Sequence, residues 1–196
     1  MAILTNTALS VLALISFCEL ASDATKGRRP WLCWLIVAAI FGMLKEAFRG
    51  NLMSGVVTTA WTFSAAQTLS PVLYSVTLGG LVVLITPRLT SIWLKLATAL
   101  VITAIMTFVF KPILAVLLAP LMASLAYLNH ADVYPFPYGG HVLFWAYVTY
   151  LEPVVACIAA AALVWPRLAR RADTRMLQFV TLISLMTALR RCRRLP

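Results

Sequence analysis

Residues 52–86 form a run of 35 residues without a charged side chain, and this run most limits how the chain can fold. A water-soluble domain carries about a quarter charged residues and about half apolar ones. Here 62% of the residues are hydrophobic, 11% are charged, and the mean hydropathy is +0.93. A globule of 196 residues has too little interior to hide that much apolar surface from water. The sequence therefore predicts one integral membrane domain.

The apolar runs have the length of membrane-crossing helices, of which about 20 residues span a hydrocarbon core about 30 Å thick. They predict an all-α, polytopic transmembrane helix bundle with about six to seven spans and a re-entrant or interfacial helix. The predicted helices outside residues 52–86 cover residues 3–21, 31–44, 92–110, 113–128 and 142–165. Residues 1–175 are the predicted transmembrane domain. Residues 176–196 are predicted to form a short apolar helix with a basic cytoplasmic tail.

Two segments, residues 52–86 and 176–189, leave alternatives in this topology. Residues 52–86 would be about 50 Å long as one helix, too long for one span and short for two. The bond Ser70–Pro71 offers a break, which gives two short spans or a re-entrant hairpin plus a span. Lys111–Pro112 is expected to be a tight turn. Residues 176–189 would cover only about 21 Å between basic clusters, which favours an interfacial helix, with a final span as the alternative.

The net charge is +10, and the basic residues that produce it lie beside the apolar runs. A nucleic-acid interface needs basic residues spread over a folded face with polar or aromatic readers between them, so nucleic acid is not an expected partner. Lysine and arginine that flank apolar segments instead mark the cytoplasmic side and contact anionic lipid headgroups. The predicted headgroup contacts are eight arginines: Arg167, Arg170, Arg171, Arg175, Arg190, Arg191, Arg193 and Arg194.

The basic residues also predict an orientation. If the turn containing Lys26, Arg28 and Arg29 is cytoplasmic, the N-terminus is outside and the arginine-rich tail is inside. Counting two crossings for residues 52–86 places residues 129–141 outside. This count leaves four basic residues on the outer side: Lys45, Arg49, Arg88 and Lys95. The expected location is a bacterial inner membrane, with the lipid bilayer and other membrane proteins as partners.

The polar stretch NHADVYPFPYGGHV, residues 129–142, is one candidate site. His130, Asp132 and His141 form a set of imidazole and carboxylate groups that suits zinc, copper or iron. The alternative is a stiff external loop, because alternating prolines favour an extended chain and aromatic residues are frequent at membrane interfaces.

Glu152 is the second candidate, since it lies about ten residues into the predicted helix 142–165 and is followed by Pro153. A charged carboxylate at that depth is costly, so it is expected to be protonated or paired. A broken helix beside a buried acid is a recurring way to build an ion or substrate site. Lys111 and Glu19 are the predicted counter-groups. A structural kink with a hydrogen-bonded Glu152 is the alternative.

The sequence contains neither a nucleotide-binding glycine motif nor a hydrolase signature, and it indicates no particular cofactor. Two functions from different classes remain. The first is a non-enzymatic accessory or assembly subunit of an inner-membrane complex. The alternative is a compact transporter or substrate-binding membrane component that uses Glu152. A membrane enzyme that uses the histidine-containing loop ranks third.

Overall fold

The computed structural model describes residues 2–57, 60–128, 134, 137–168 and 171–187, and this part of the chain is all-helical. The α-helices are α1 (Ala2–Leu20), α2 (Ser22–Thr25), α3 (Pro30–Leu44), α4 (Arg49–Leu52), α5 (Trp61–Ile85), α6 (Ile92–Ala104), α7 (Lys111–Leu125), α8 (Gly140–Val164) and α9 (Ala172–Thr187). Short 3₁₀ turns extend several of them, at Met53–Gly55, Thr86–Arg88, Ala126–Leu128 and Trp165–Arg167. A π-helical segment, Ile105–Phe110, joins α6 to α7.

The all-helical class is confirmed, but the structure has three to four candidate membrane-spanning helices, fewer than the six to seven predicted. Within the described residues, three helices are long and apolar enough to cross a membrane: Trp61–Arg88, Ile92–Leu128 and Gly140–Arg167. A fourth span results if Pro30–Leu44 and Arg49–Gly55, which are bent by 58°, form one broken span. Leu4–Leu20 is a shorter apolar helix.

Two predicted interruptions at prolines are not interruptions. Pro71 lies inside α5, so residues 61–85 form one helix instead of two short spans. Lys111–Pro112 is not a turn, because the helix runs without a gap from Ile92 to Leu128. Proline lacks an N–H group and its ring clashes with the carbonyl four residues earlier. The π-helical turn directly before Pro112 widens the spacing to five residues, which accommodates the ring.

Each of these two runs contributes one helix instead of two. Because two crossings are lost, the chain after both runs continues on the side that was predicted. Arg88 and Lys95 consequently lie at the same end of the bundle as the turn between α1 and α3. Lys95 Nζ is 2.7 Å from Glu19 Oε1, and Arg167 pairs with Asp23. We call this end of the bundle the basic end. Its described basic residues are Lys26, Arg28, Arg29, Arg88, Lys95, Arg167, Arg171 and Arg175.

The opposite end of the bundle is also fixed by contacts. The amide of Ala60 donates to the carbonyl of Leu128 over 3.4 Å, which joins the start of α5 to the end of the α6–α7 helix. Gly55 lies against the ring of Trp145, near the start of α8. The long helices therefore alternate in direction along the chain.

α1 forms the centre of the bundle. Its side chains Val11, Leu14 and Phe17 are fully buried. α9 runs back along α1 from the basic end, and Ser10 Oγ donates to the carbonyl of Leu185 over 3.1 Å. The C-terminal helix that the sequence predicted to be interfacial thus packs lengthwise beside α1, and it is not among the helices that meet the length and hydropathy of a span.

α3 and α5 approach each other through small residues. Ala38 and Gly42 are four apart on α3, and they face Gly79 and Ser75 on α5. A Cβ atom added to Gly79 would lie 3.0 Å from the Cα of Ala38. Small residues at this spacing let helix backbones pack closely inside a membrane, where apolar burial gives little net attraction between helices. This pair holds α3 firmly beside α5.

Candidate functional site at a helix break

The helix is interrupted at residues 45–48, which form a turn between α3 and α4. Glu46 has a φ of 51°, a left-handed conformation that non-glycine residues rarely adopt. The amide of Ala47 donates back to the carbonyl of Gly42 over 2.9 Å, so the helix ends in a tight turn. The amide of Phe48 donates to a side chain of another helix, Glu152 Oε1 of α8, over 3.0 Å. We call residues 45–48 the helix break.

Glu152 lies in the interior, with 5% of its surface exposed. Its Oε1 accepts the Phe48 amide, whereas its Oε2 has no hydrogen-bond partner among the described residues. α8 continues through Pro153, and Thr149 Oγ1 donates to the carbonyl of Trp145 over 2.9 Å. The interruption beside the buried acid therefore lies in the neighbouring α3–α4 segment, and the helix that carries Glu152 stays continuous.

Three more ionisable side chains lie at or next to the helix break. Arg49 Nη1 is 2.7 Å from Glu46 Oε2 in an ion pair. Lys45 Nζ donates to Ser10 Oγ of α1 over 3.1 Å. With Glu152, the bundle thus gathers two acidic and two basic groups at one level. A polar backbone is tolerated at membrane depth where it is buried in protein or lines a water-filled cavity.

Lys45 also lines an open groove of about 850 Å³ between α5 and α7, which we call the α5–α7 groove. Lys111 lies on its other side, with Nζ 5.3 Å from the centre of the Tyr74 ring. This separation is in the range of a cation–π contact. The described lining residues are Lys45, Ala66, Gln67, Ser70, Pro71, Tyr74, Ser75, Lys111, Leu114, Ala115, Leu118, Ala119 and Met122.

Glu19, predicted as a counter-group, does not join Glu152. It pairs with Lys95 at the basic end, and Arg167 Nη1 donates to its carbonyl over 3.0 Å. Arg167 is 15 residues after Glu152 in the same helical segment, or about 22 Å at 1.5 Å per residue. Glu19 therefore contributes to the closure of the basic end.

The proposed metal site falls mostly outside the described residues. His130 and Asp132 are not described, whereas His141 lies in the first turn of α8 and meets the Tyr134 ring edge-on at 5.2 Å between centroids. The described residues contain no group of three or more metal-ligating side chains. The metal hypothesis for the three residues stays a prediction.

The described arginines of the predicted lipid-contact set have different surroundings. Arg167 contacts Asp23 and Glu19, so its guanidinium holds helices together. Arg175 lies 5.4 Å from the Trp165 ring, and Arg171 is exposed. Headgroup contact stays a prediction for all eight, and five of them lie outside the described residues: Arg170, Arg190, Arg191, Arg193 and Arg194.

Sequence reasoning missed the helix break itself. From the sequence, residue 44 was expected to end a helix, with Lys45 and Arg49 as basic residues beyond it on the outer side. The available signal was their position inside residues 30–57, where apolar residues lie on both sides of the charged cluster.

Comparisons with protein-family models, with curated proteins and with solved structures found no match for this chain. The geometry of the site is therefore the basis for a function. A buried carboxyl with one hydrogen-bonded oxygen and one oxygen that has no partner among the described residues can take up and release a proton, and the guanidinium of Arg49 interacts with it electrostatically.

Proposed function

We propose that this protein is a compact membrane transporter in which Glu152 carries a proton through the helix break. The observation that supports this most directly is the pairing of a buried carboxyl with an interrupted α3–α4 segment. Ionisable residues inside membrane helices are expensive and usually serve ion or substrate pathways. Interrupted helices supply the polar backbone of such pathways in many transporters.

The purely structural alternative gives Glu152 one task, which is to accept the Phe48 amide. Glutamine can perform that task, because its carbonyl oxygen also accepts a hydrogen bond. Glutamine does not take up or release a proton in the physiological range. Glu152→Gln therefore separates the two roles within one position.

The test is proton flux in vesicles of phosphatidylethanolamine and phosphatidylglycerol that contain the purified full-length protein. An entrapped pH-sensitive dye reports the decay of an imposed pH difference. The wild-type protein is expected to speed the decay, and Glu152→Gln is expected to return it to the rate of empty vesicles. Equal decay rates in wild type and Glu152→Gln would refute the proposal.

Glu19→Gln is the matched control. It makes the same chemical change at the basic end, where it removes the ion pair with Lys95. Glu19 lies about 20 Å from Glu152 by helix rise. Its proton flux is expected to equal that of the wild type. A loss of flux as large as that of Glu152→Gln would show that the assay reports general damage to the bundle, and the Glu152 assignment would be withdrawn.

A different observation supports the accessory-subunit function. Only 22% of an apolar 18-residue stretch of the helix Ile92–Leu128 is buried within this chain. Leu117, which is 66% exposed, lies on the face of this helix that could contact the helices of another membrane protein. This second function predicts that a photo-crosslinking residue at Leu117 captures another protein in native membranes. The same residue at Leu114, which faces the bundle, would capture none.

The proposed orientation places the basic end on the cytoplasmic side, because basic residues flanking spans are retained there. The proposed location is a bacterial inner membrane, with anionic lipids around the basic end. This orientation predicts that a cysteine at exposed Lys26 is not labelled by a membrane-impermeant maleimide in sealed cells, and is labelled once the cells are opened. Labelling in sealed cells would reverse the orientation.

A further inference from the structure

The α5–α7 groove has the features of a ligand-binding site, a role that goes beyond proton movement. We propose that it binds an amphiphilic phosphate monoester, with the phosphate held by Lys45 and Lys111 and the apolar chain lying on α7. The groove has one polar and one apolar side. Gln67, Ser70 and Ser75 stand on the α5 side, and Leu114, Leu118 and Met122 stand on the α7 side.

Charge selects an anion for this groove. Its described lining contains two lysines and no carboxylate, although the chain has both signs of charge nearby at the helix break. A lysine ammonium interacts with phosphate as a compact point charge. Two such charges match a phosphate monoester, which carries about −1.5 to −2 at neutral pH.

A buried donor in the same groove favours oxygen-rich ligands. The hydroxyl of Tyr74 is buried and has no hydrogen-bond partner among the described residues. A buried hydroxyl without a partner is unfavourable, so a ligand oxygen that accepts its proton would be favoured. Phosphate offers several such oxygens, and Lys111 already lies over the same tyrosine ring.

Size and surroundings favour an amphiphile over free phosphate. The groove volume of about 850 Å³ is in the range that takes a drug-sized ligand and far exceeds one phosphate group. Apart from Lys111, its α7 side consists of leucine, alanine and methionine side chains. An alkyl chain can lie against these side chains while its phosphate reaches the two lysines.

The test measures binding of dodecyl phosphate to the purified full-length protein in a non-ionic detergent. Inorganic phosphate tests the free-anion source, and a dodecyl trimethylammonium salt tests the chain without negative charge. Dodecyl phosphate is expected to bind at least about tenfold more tightly than either. Equally tight binding of inorganic phosphate, or of the cationic amphiphile, would overturn the proposal.

Lys111→Gln is the main variant, because Lys111 is exposed on a continuous helix and its loss leaves the bundle packing in place. It is expected to weaken dodecyl phosphate binding by about tenfold to a hundredfold, as for loss of one charged hydrogen bond. Tyr74→Phe is expected to weaken it less, and Lys26→Gln, at an exposed turn, is the matched control. Unchanged binding in both Lys111→Gln and Tyr74→Phe would overturn the assignment.

The binding experiment and the proton-flux experiment fail independently. Dodecyl phosphate binding needs Lys111 and Tyr74, whereas proton flux needs the carboxyl of Glu152. Retained binding in Glu152→Gln would show that the α5–α7 groove is intact when the proton pathway is blocked.

Discussion

The chain has two charged interruptions inside apolar runs, and they fold in opposite ways. Residues 45–49 break the α3–α4 segment, whose two parts are bent by 58°. Lys111–Pro112 leaves the helix from Ile92 to Leu128 unbroken. From sequence alone, the second was expected to be a turn and the first the end of a helix.

Whether an interruption breaks the helix depends on where its freed hydrogen-bonding groups find partners. At the helix break, the Phe48 amide leaves the helical pattern and needs an acceptor, which Glu152 provides from α8. Pro112 has no amide proton, so nothing on its nitrogen needs a partner, and one π-helical turn relieves its ring clash. A break therefore requires a second helix, whereas a proline can be accommodated locally.

The largest expected effect comes from forcing α3 away from α5. Gly79→Leu would place a side chain where even a Cβ lies 3.0 Å from the Ala38 backbone. We expect a loss of about 3 kcal/mol or more in the free energy of unfolding, at the upper end of overpacking costs. Chemical denaturation in micelles measures it. Gly140→Leu is the control, because Gly140 is exposed and an added Cβ there meets nothing within 4 Å. Equal stability of the two variants would contradict the close α3–α5 pairing.

Removal of the acceptor at the helix break should have the next largest effect. Glu152→Leu leaves the Phe48 amide without its partner, and a buried unpaired donor costs about 1–3 kcal/mol. Glu152→Gln keeps an acceptor and is expected to unfold like the wild type. The same denaturation experiment compares the pair. If leucine and glutamine gave equal stability, the amide of Phe48 would not depend on this side chain.

Replacement of the proline in the other interruption should have the smallest effect. Pro112→Ala restores an amide proton that the surrounding helix can bond, so we expect the free energy of unfolding to change by less than about 1 kcal/mol. Its unfolding midpoint should stay close to that of the wild type. A loss comparable to that of Glu152→Leu would mean that Pro112 shapes the helix in a way that the π-helical turn does not explain.

The sequence predicted what depends on local composition. The apolar run 142–165 agrees with α8, Gly140–Val164, and the run 3–21 agrees with α1. The burial of Glu152 also follows from its depth in an apolar run. These features depend on hydropathy and length, which a single segment contains.

The sequence did not predict what depends on contacts between segments. Ser70–Pro71 was expected to interrupt residues 52–86, but α5 packs against α3 along its length and continues through Pro71. The acceptor for Phe48 lies 104 residues away along the chain, so no local pattern around the helix break identifies it. The α5–α7 groove likewise arises from two helices that are separated in sequence.

The most direct test of the central claim is infrared difference spectroscopy of the Glu152 carboxyl across a pH titration, in ordinary and in heavy water. The proposal predicts a carboxylic C=O band that depends on pH, shifts in heavy water and is missing in Glu152→Gln, since transport needs a proton to reach and leave this group. Wild-type and Glu152→Gln spectra that agree at every pH would show that Glu152 exchanges no proton, which would contradict the proposed function.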